Sequence, residues 1–442
     1  MKTSEDLVKI VFDAIDGARD EIIAFGRDIW RHPEPGYKEV RTSRAVEEKF
    51  RALGLSPRTG LALTGVRADL PCGAPGPTLA ILGEMDSLVI PSHPECDPAT
   101  GAVHACGHNA ILAGMLGAAT GLARSGVAAD LAGRLVFMAC PAEECIDISW
   151  RKTLIDDGKV PMLGGKQAMI FEGAFDDVDL SFMLHGSGGK PPNGYGASYH
   201  NGFVMKRVVF TGKAAHAAGQ PNKSRNALSA ANLAMTALAF LRERDCADGH
   251  ARMHGIITSG GDVVNVIPDK VVMEYQIRND DMEKIAAMSA DFDQAVRGCA
   301  SALGCGADIA TFCGYMPTKE DQDLGRVYAG VVNDYFDPDA KIRTDGFSAG
   351  STDMGDVSTI LPALHGYCPG MGGTAHGADF FVADEDVAYI RNAKIAAAMA
   401  VRLLCDGATL ARPIAAKKAS LMSVADYKAF VRRIEGRAEK AD

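Results

Sequence analysis

The sequence predicts an α/β protein in two parts: a mixed-sheet domain interrupted by a smaller, inserted α+β domain of ferredoxin-like order. Two observations carry this expectation. The first half alternates short apolar runs with helix-like segments, and a self-contained β-α-β-β-α-β pattern follows before helix and strand resume. In addition, 442 residues exceed what one ordinary core accommodates.

The N-terminal MKTSEDLVKIVFDAIDGARDEIIAFG sets charges among its apolar positions and reads as amphipathic helix. Residues 42–54 predict a helix begun by a Thr42 or Ser43 cap and stopped at Gly54. Residues 78–82 (TLAIL) and 134–139 (RLVFMA) are short apolar runs of the kind buried on both faces of a sheet. Between them, 109–124 is rich in small apolar residues and predicts a packed helix. Near residue 190, GSGGKPPNGYG carries the turn residues of a linker or hinge. The inserted pattern then reads as strand 203–211, helix 225–243, strands 252–258 and 270–278, helix 283–303 and strand 307–312, ending near Pro317. Helix and strand resume through 325–362, an Ala-rich helix takes 384–405, and 418–442 predicts a surface helix with a frayed charged end. The main domain is therefore expected over 1–194 and 315–442, and the insert over 195–314.

The formal net charge is −10 and the basic residues are scattered, which argues against a cationic face for nucleic acid or anionic membrane. No stretch approaches the ~20 apolar residues of a spanning helix. The N-terminus lacks the solid apolar stretch of a signal peptide. Eleven cysteines without CxxC pairs do not form a disulfide framework. The expectation is a cytoplasmic protein acting on a small molecule.

The chemistry concentrates at the ends of apolar elements. HACGHN (104–109) puts Cys106 and His108 in a Gly-containing loop before a helix, and thiolate with imidazole suits zinc or a similar ion. PAEE (141–144) follows a strand, where ligand crevices of α/β sheets lie. Neighbouring carboxylates point in different directions, so Glu144 is assigned to a metal and Glu143 to a general base. GEMDSL (83–88) presents Glu84 and Asp86, the latter suited to orient a ligand histidine. His185 in FMLHGSGG and His376 in GGTAHGADF complete the set. Each alone has a plainer reading as a structural residue; together they supply ligands for two ions with room for a bridging water. The metal would lower that water's pKa and polarise a carbonyl, and Glu143 would take the proton. In the insert, His216, Asn265 and Arg278 stand in loops or at a strand end and can hydrogen-bond an oxyanion and a carboxylate.

With HACGHN, PAEE, GKAAHAA, NVIPD and GSTDMGDVS in this order, the chain resembles the amidohydrolase and aminoacylase-like family of zinc peptidases. That family includes carboxypeptidase G, hippurate hydrolase and auxin-conjugate hydrolases. The resemblance runs from about residue 20 to about 405, and it looks closest to the aminobenzoyl-glutamate utilisation protein B branch and related β-alanyl-lysine dipeptidases. It implies a metallopeptidase-like catalytic domain with one or two divalent ions (Zn or Mn), and an inserted lid that also forms a homodimer or higher homo-oligomer. By motif it implies Cys106, His108, Glu144, His185 and His376 as metal ligands, Glu143 as base, and His216 and Asn265 as lid residues reaching a neighbouring subunit's site. Arg278 matches a lid position that holds the substrate carboxylate. Three departures stand out: Asn109 where many relatives have Asp, Glu84 where many peptidases have a ligand His, and glycine and proline after His185.

The expected activity is metal-dependent hydrolysis of a C–N bond, the amide of an N-acyl or N-aroyl amino acid or of a dipeptide. An alternative is hydrolytic deamination of an aromatic amine, as in 5-nitroanthranilate aminohydrolase. A third reading is a metal-stabilised binding protein without turnover.

Overall fold

A computed structural model of the chain describes residues 2–247 and 249–436. The strands of eight or more residues are β1 (Ala74–Glu84), β2 (Ala132–Cys140), β3 (Leu180–Gly188), β4 (Gly202–Thr211), β5 (Arg252–Ser259), β6 (Lys270–Asn279), β7 (Gly306–Tyr315) and β8 (Ala363–Gly372). They divide between two compact units. One comprises residues up to Tyr199 with Lys319–Phe347 and Asp356–Val424; the other comprises His200–Thr318, Ser348–Gly355 and residues from Ala425 on.

In the first unit β2, β1, β3 and β8 lie side by side and all pair in parallel, inside a nine-stranded mixed sheet whose flanking pairs are antiparallel. Buried on both faces, these strands show the near-continuous apolar runs that the sequence displays. The helix His108–Arg124 packs beside the Ala-rich helix Asn392–Leu404, where small residues permit close approach: a Cβ on Gly117 would stand 2.6 Å from the Ala393 Cβ. The Ala-rich run predicted as one helix opens with a π-helical turn, Asp386–Arg391, ahead of that helix.

Parallel register aligns the strand ends that matter. Glu84 is paired with Cys140, and extending the register from Ile81↔Phe182 brings Glu84 level with His185, itself paired with Tyr367. The carboxyl ends of four strands therefore deliver the GEMDSL, PAEE, FMLHGSGG and GGTAHGADF segments to one rim.

Two boundary expectations change. The helix predicted at 42–54 spans Val40–Ala52, and Thr42 lies buried inside it instead of capping it. The capping is done by Glu34, whose carboxylate accepts the N–H groups of Arg41 and Thr42. Residues 196 and 197, expected in the insert, pair with β8 of the main sheet. Their glycine-rich approach looks like a linker in sequence, yet β3 runs on through its first residues to Gly188.

The second unit is a four-stranded antiparallel sheet in the order β5-β6-β4-β7. With the helices Ala227–Asp245 and Met282–Ala302 the sheet forms the split β-α-β-β-α-β arrangement. Asn226 and Asp281 cap those helices through their side chains. Ile285, Met288, Phe292, Val296 and Ala300 form the helical stripe of the second helix that faces the core. The predicted C-terminal helix spans Val424–Ile434; most of the charged end expected to fray (437–442) lies outside the described residues. Among the described residues no helix is long and apolar enough to cross a membrane.

Candidate metal centre

The fold brings Cys106, His108, Glu143, Glu144, His185 and His376 together at the rim of the main sheet. Cys106, His108 and His185 offer donor atoms within 4.8 Å of one another; so do Cys106, Glu144 and His376, and so do His108, Glu143 and Glu144. Cys106 Sγ is the common point, 3.5 Å from His185 Nε2 and 3.4 Å from His376 Nε2. His376 Nε2 stands 3.4 Å from Glu144 Oε1, and His108 Nε2 stands 3.8 Å from Glu143 Oε2. The first two of these sets share the thiol, and the third joins His108 of one to Glu144 of the other.

Local backbone explains how each side chain arrives. Gly107 takes φ +88, a left-handed turn that suits glycine, and His108 becomes the first residue of the following helix. Asp86 then fixes His108: Nδ1 lies 2.9 Å from the Asp86 backbone carbonyl and 3.1 Å from its carboxylate. A carbonyl only accepts, so Nδ1 carries the proton and Nε2 is aimed into the site. His185 is set the same way, its Nδ1 2.7 Å from the Gly186 carbonyl. The second oxygen of Asp86 accepts the Glu144 N–H at 2.8 Å, coupling the histidine to the acidic loop.

That loop is braced by residues the motifs did not reveal. Glu39, fully buried, accepts the Ala142 N–H at 2.8 Å and the Thr64 hydroxyl at 2.7 Å. Burial, with the charge of Asp86 adding to it, pushes the Glu39 carboxyl up to about 8. Buried Arg151 donates to the carbonyls of Glu144 (2.5 Å), Leu163 (2.7 Å) and Ala142 (3.3 Å). Gly36 leaves room for this: a Cβ there would stand 2.2 Å from an Arg151 nitrogen. Lys166, also fully buried, donates to Glu84 at 2.5 Å. In sequence Glu39 follows Lys38 in EPGYKEV and Lys166 is the lone charge of LGGKQAMIF, with no spacing that marks either.

The donor set fits a divalent cation. Buried His108 Nε2, Glu144 Oε1 and Glu84 Oε2 have no hydrogen-bond partner among the described residues, which is costly unless something positive serves them. Burial pushes His185 down to about 4, leaving a neutral imidazole with a free lone pair. Burial, aided by Glu144, pushes the Cys106 thiol up, so its thiolate needs a cation. At His108 burial opposes positive charge, yet Glu84, Cys106 and Asp86 outweigh it. Thiolate, imidazole and carboxylate together suit zinc or manganese.

Asn109 does not point at the donors. Its amide donates to the Tyr389 hydroxyl at 3.0 Å and toward the Gly26 carbonyl at 3.4 Å, a role that an Asp carboxylate could not fill toward a carbonyl.

In the second unit, His216 and Asn265 are brought together. A bridge joins His216 to Val266, and the Ala217 N–H donates to the Asn265 carbonyl at 3.0 Å. Both side chains are exposed, beside Val263, Val264 and Val266, whose apolar side chains also face solvent. Arg278 is elsewhere. Its strand β6 begins at Lys270, paired with Thr211 at the His216 end, and Arg278 is paired with Phe203 at the other. At about 3.3 Å per residue the two ends lie roughly 25 Å apart. Arg278 stacks 5.1 Å over Phe203 and donates to Gln276 and Ser351.

Sequence comparison defines the class. Residues 80–401 match the model of peptidase family M20/M25/M40, and the chain belongs to that family. It is a metal-site hydrolase of the peptidase and amidohydrolase kind. It is 32% identical over 375 residues to the Xaa-Arg dipeptidase of Mus musculus, covering 80% of this chain and 78% of that one. It is 27% identical over 291 residues to a subunit of the p-aminobenzoyl-glutamate hydrolase of Escherichia coli, covering 64% of this chain and 55% of that one. The fold is shared with a Bacillus subtilis protein described as a dinuclear metal-binding peptidase of family M20. There the TM-score is 0.65 at 21% identity, over 88% of this chain and 99% of the other.

Proposed function

We propose that the protein hydrolyses the amide bond of an N-acyl or N-aroyl amino acid, or of a dipeptide with a free carboxylate. The observation that carries this reading is the convergence of Cys106, His108, Glu144, His185 and His376 beside Glu143, with three buried donor atoms left without hydrogen-bond partners. The five donors would hold one or two divalent ions, zinc or manganese. Such an ion supplies electrophilic polarisation of the scissile carbonyl and acidification of water. Glu143, the carboxylate not needed for coordination, accepts the proton of the attacking water and returns it to the leaving nitrogen. Asp86 holds the His108 ring while this happens, and Glu39 and Arg151 keep the base-bearing loop in register.

The substrate-facing residues of the second unit favour a shared site. His216 and Asn265 sit at one end of β6 and Arg278 at the other, too far apart to grip one small molecule within a single chain. A homodimer in which His216 and Asn265 serve the neighbour's substrate carbonyl resolves that separation. Exposed Val264, Ile256 and Phe240 give such an interface apolar surface.

The test is product identification by mass spectrometry after metal-loaded protein meets N-acyl amino acids, aminobenzoyl-glutamate, β-alanyl and Xaa-Arg dipeptides and amino-nitrobenzoates. An acid plus an amine fragment is the expected result and fixes the acyl preference. Exchange of an amino group for hydroxyl with ammonia release, and no cleavage of any amide, would replace this reading with deamination. Tight amide binding without turnover would point to a binding protein.

A further inference from the structure

The carboxylate of Glu84 is divided between two environments. Its Oε1 accepts from Lys166 Nζ at 2.5 Å, and both side chains are fully buried. Its Oε2 has no hydrogen-bond partner among the described residues, and it lies 3.3 Å from His108 Nε2, which likewise has none. His108 cannot turn to relieve this, because its other nitrogen is committed to the carbonyl and carboxylate of Asp86. The two atoms thus meet inside the protein without a hydrogen bond between them. An anionic oxygen kept from water with no donor is costly, and Lys166 covers only the other oxygen. A cation bound by both atoms removes the cost at each.

Resting on the metal-dependent reading of the site, we infer that Glu84 is itself a metal ligand. Its Oε2 joins His108 Nε2 on one divalent ion, and Lys166, by occupying Oε1, restricts the carboxylate to a single donor atom. Glu84 lies at the end of β1, level with His185 across the parallel register, so the backbone already delivers it to this position. The competing account makes Glu84 only a counter-charge, for buried Lys166 and for a His108 ring carrying a second proton 3.3 Å away, and the two separate experimentally.

Chelator-stripped protein is titrated with Zn2+ against a competing chromophoric chelator, giving affinity and stoichiometry without any assay of turnover. Wild type, Glu84→Gln and the double variant Glu84→Gln/Lys166→Met are compared, with circular dichroism confirming the fold. Glu84→Gln weakens one binding event by at least ~10-fold. The double variant removes the ammonium along with the carboxylate, so it folds without a stranded charge and stays equally weak. Wild-type affinity in Glu84→Gln, or its recovery in the double variant, would overturn Glu84 as a ligand and leave the other five donors standing. If wild type itself bound no Zn2+, the metal-dependent reading would fall first and the inference with it.

Discussion

The metal centre and the His216–Asn265 loop handle their polar groups in opposite ways. Around the candidate metal centre His108, Glu143 and Glu144 are buried, and second groups orient much of the set: His108 is held by Asp86, His185 by the Gly186 carbonyl, the Glu143–Glu144 loop by Glu39 and Arg151. In the second unit His216 and Asn265 are exposed, their loops joined by a few backbone contacts and their flanking valines turned to solvent. Preorganisation at the first site is internal to one chain. The second is an exposed surface. Rigid placement suits atoms that must converge within tenths of an ångström.

The sharpest break in this comparison is Glu143→Gln. It is expected to lower kcat at least ~10²-fold while the metal content, measured by elemental analysis, stays at the wild-type value. Loss of metal together with activity would make Glu143 a ligand and not the base. Next in size is the surface loop. His216→Ala is expected to be nearly inactive alone, yet to recover activity when mixed with Glu143→Gln under verified subunit exchange. Recovery would show that the loop serves another copy; none would return it to its own chain.

Asp86→Ala tests the bracing at the centre. Without its hold on His108 Nδ1 and the Glu144 N–H, metal affinity should fall about 10–100-fold in a chelator competition. An unchanged affinity would mean that packing alone aims the ring.

The smallest effect concerns a buried acid outside the set described above. Burial pushes Glu320 up to about 8, with the N–H of His365, 2.8 Å away, working against the rise. Because the folded protein favours the protonated acid, this group's contribution is present below about pH 4.5 and is lost as pH rises towards 8. Glu320→Gln keeps the acceptor without ionising, so its Tm should exceed wild type by roughly a few degrees at pH 8 and match it near pH 4. A difference that does not depend on pH would tie the change to packing.

Element order, the inserted β-α-β-β-α-β pattern and the residue types suited to metal binding were legible in the chain. These are local properties: apolar periodicity sets helix or strand, and a thiol, imidazole or carboxylate at an element's end is visible as a motif. How those motifs combine follows from the folded arrangement alone. Parallel register sets Glu84, Cys140 and His185 at one level, and no local pattern encodes register between strands separated by fifty or more residues. The same holds for the supports. Glu39, Arg151 and Lys166 are ordinary charged residues in sequence and gain their roles from long-range burial and hydrogen bonding. The separation of Arg278 from His216 and Asn265 is likewise tertiary, following from β6 running the length of its sheet. Chemistry was legible because it resides in residue type; geometry was not, because it resides in contacts between distant parts of the chain.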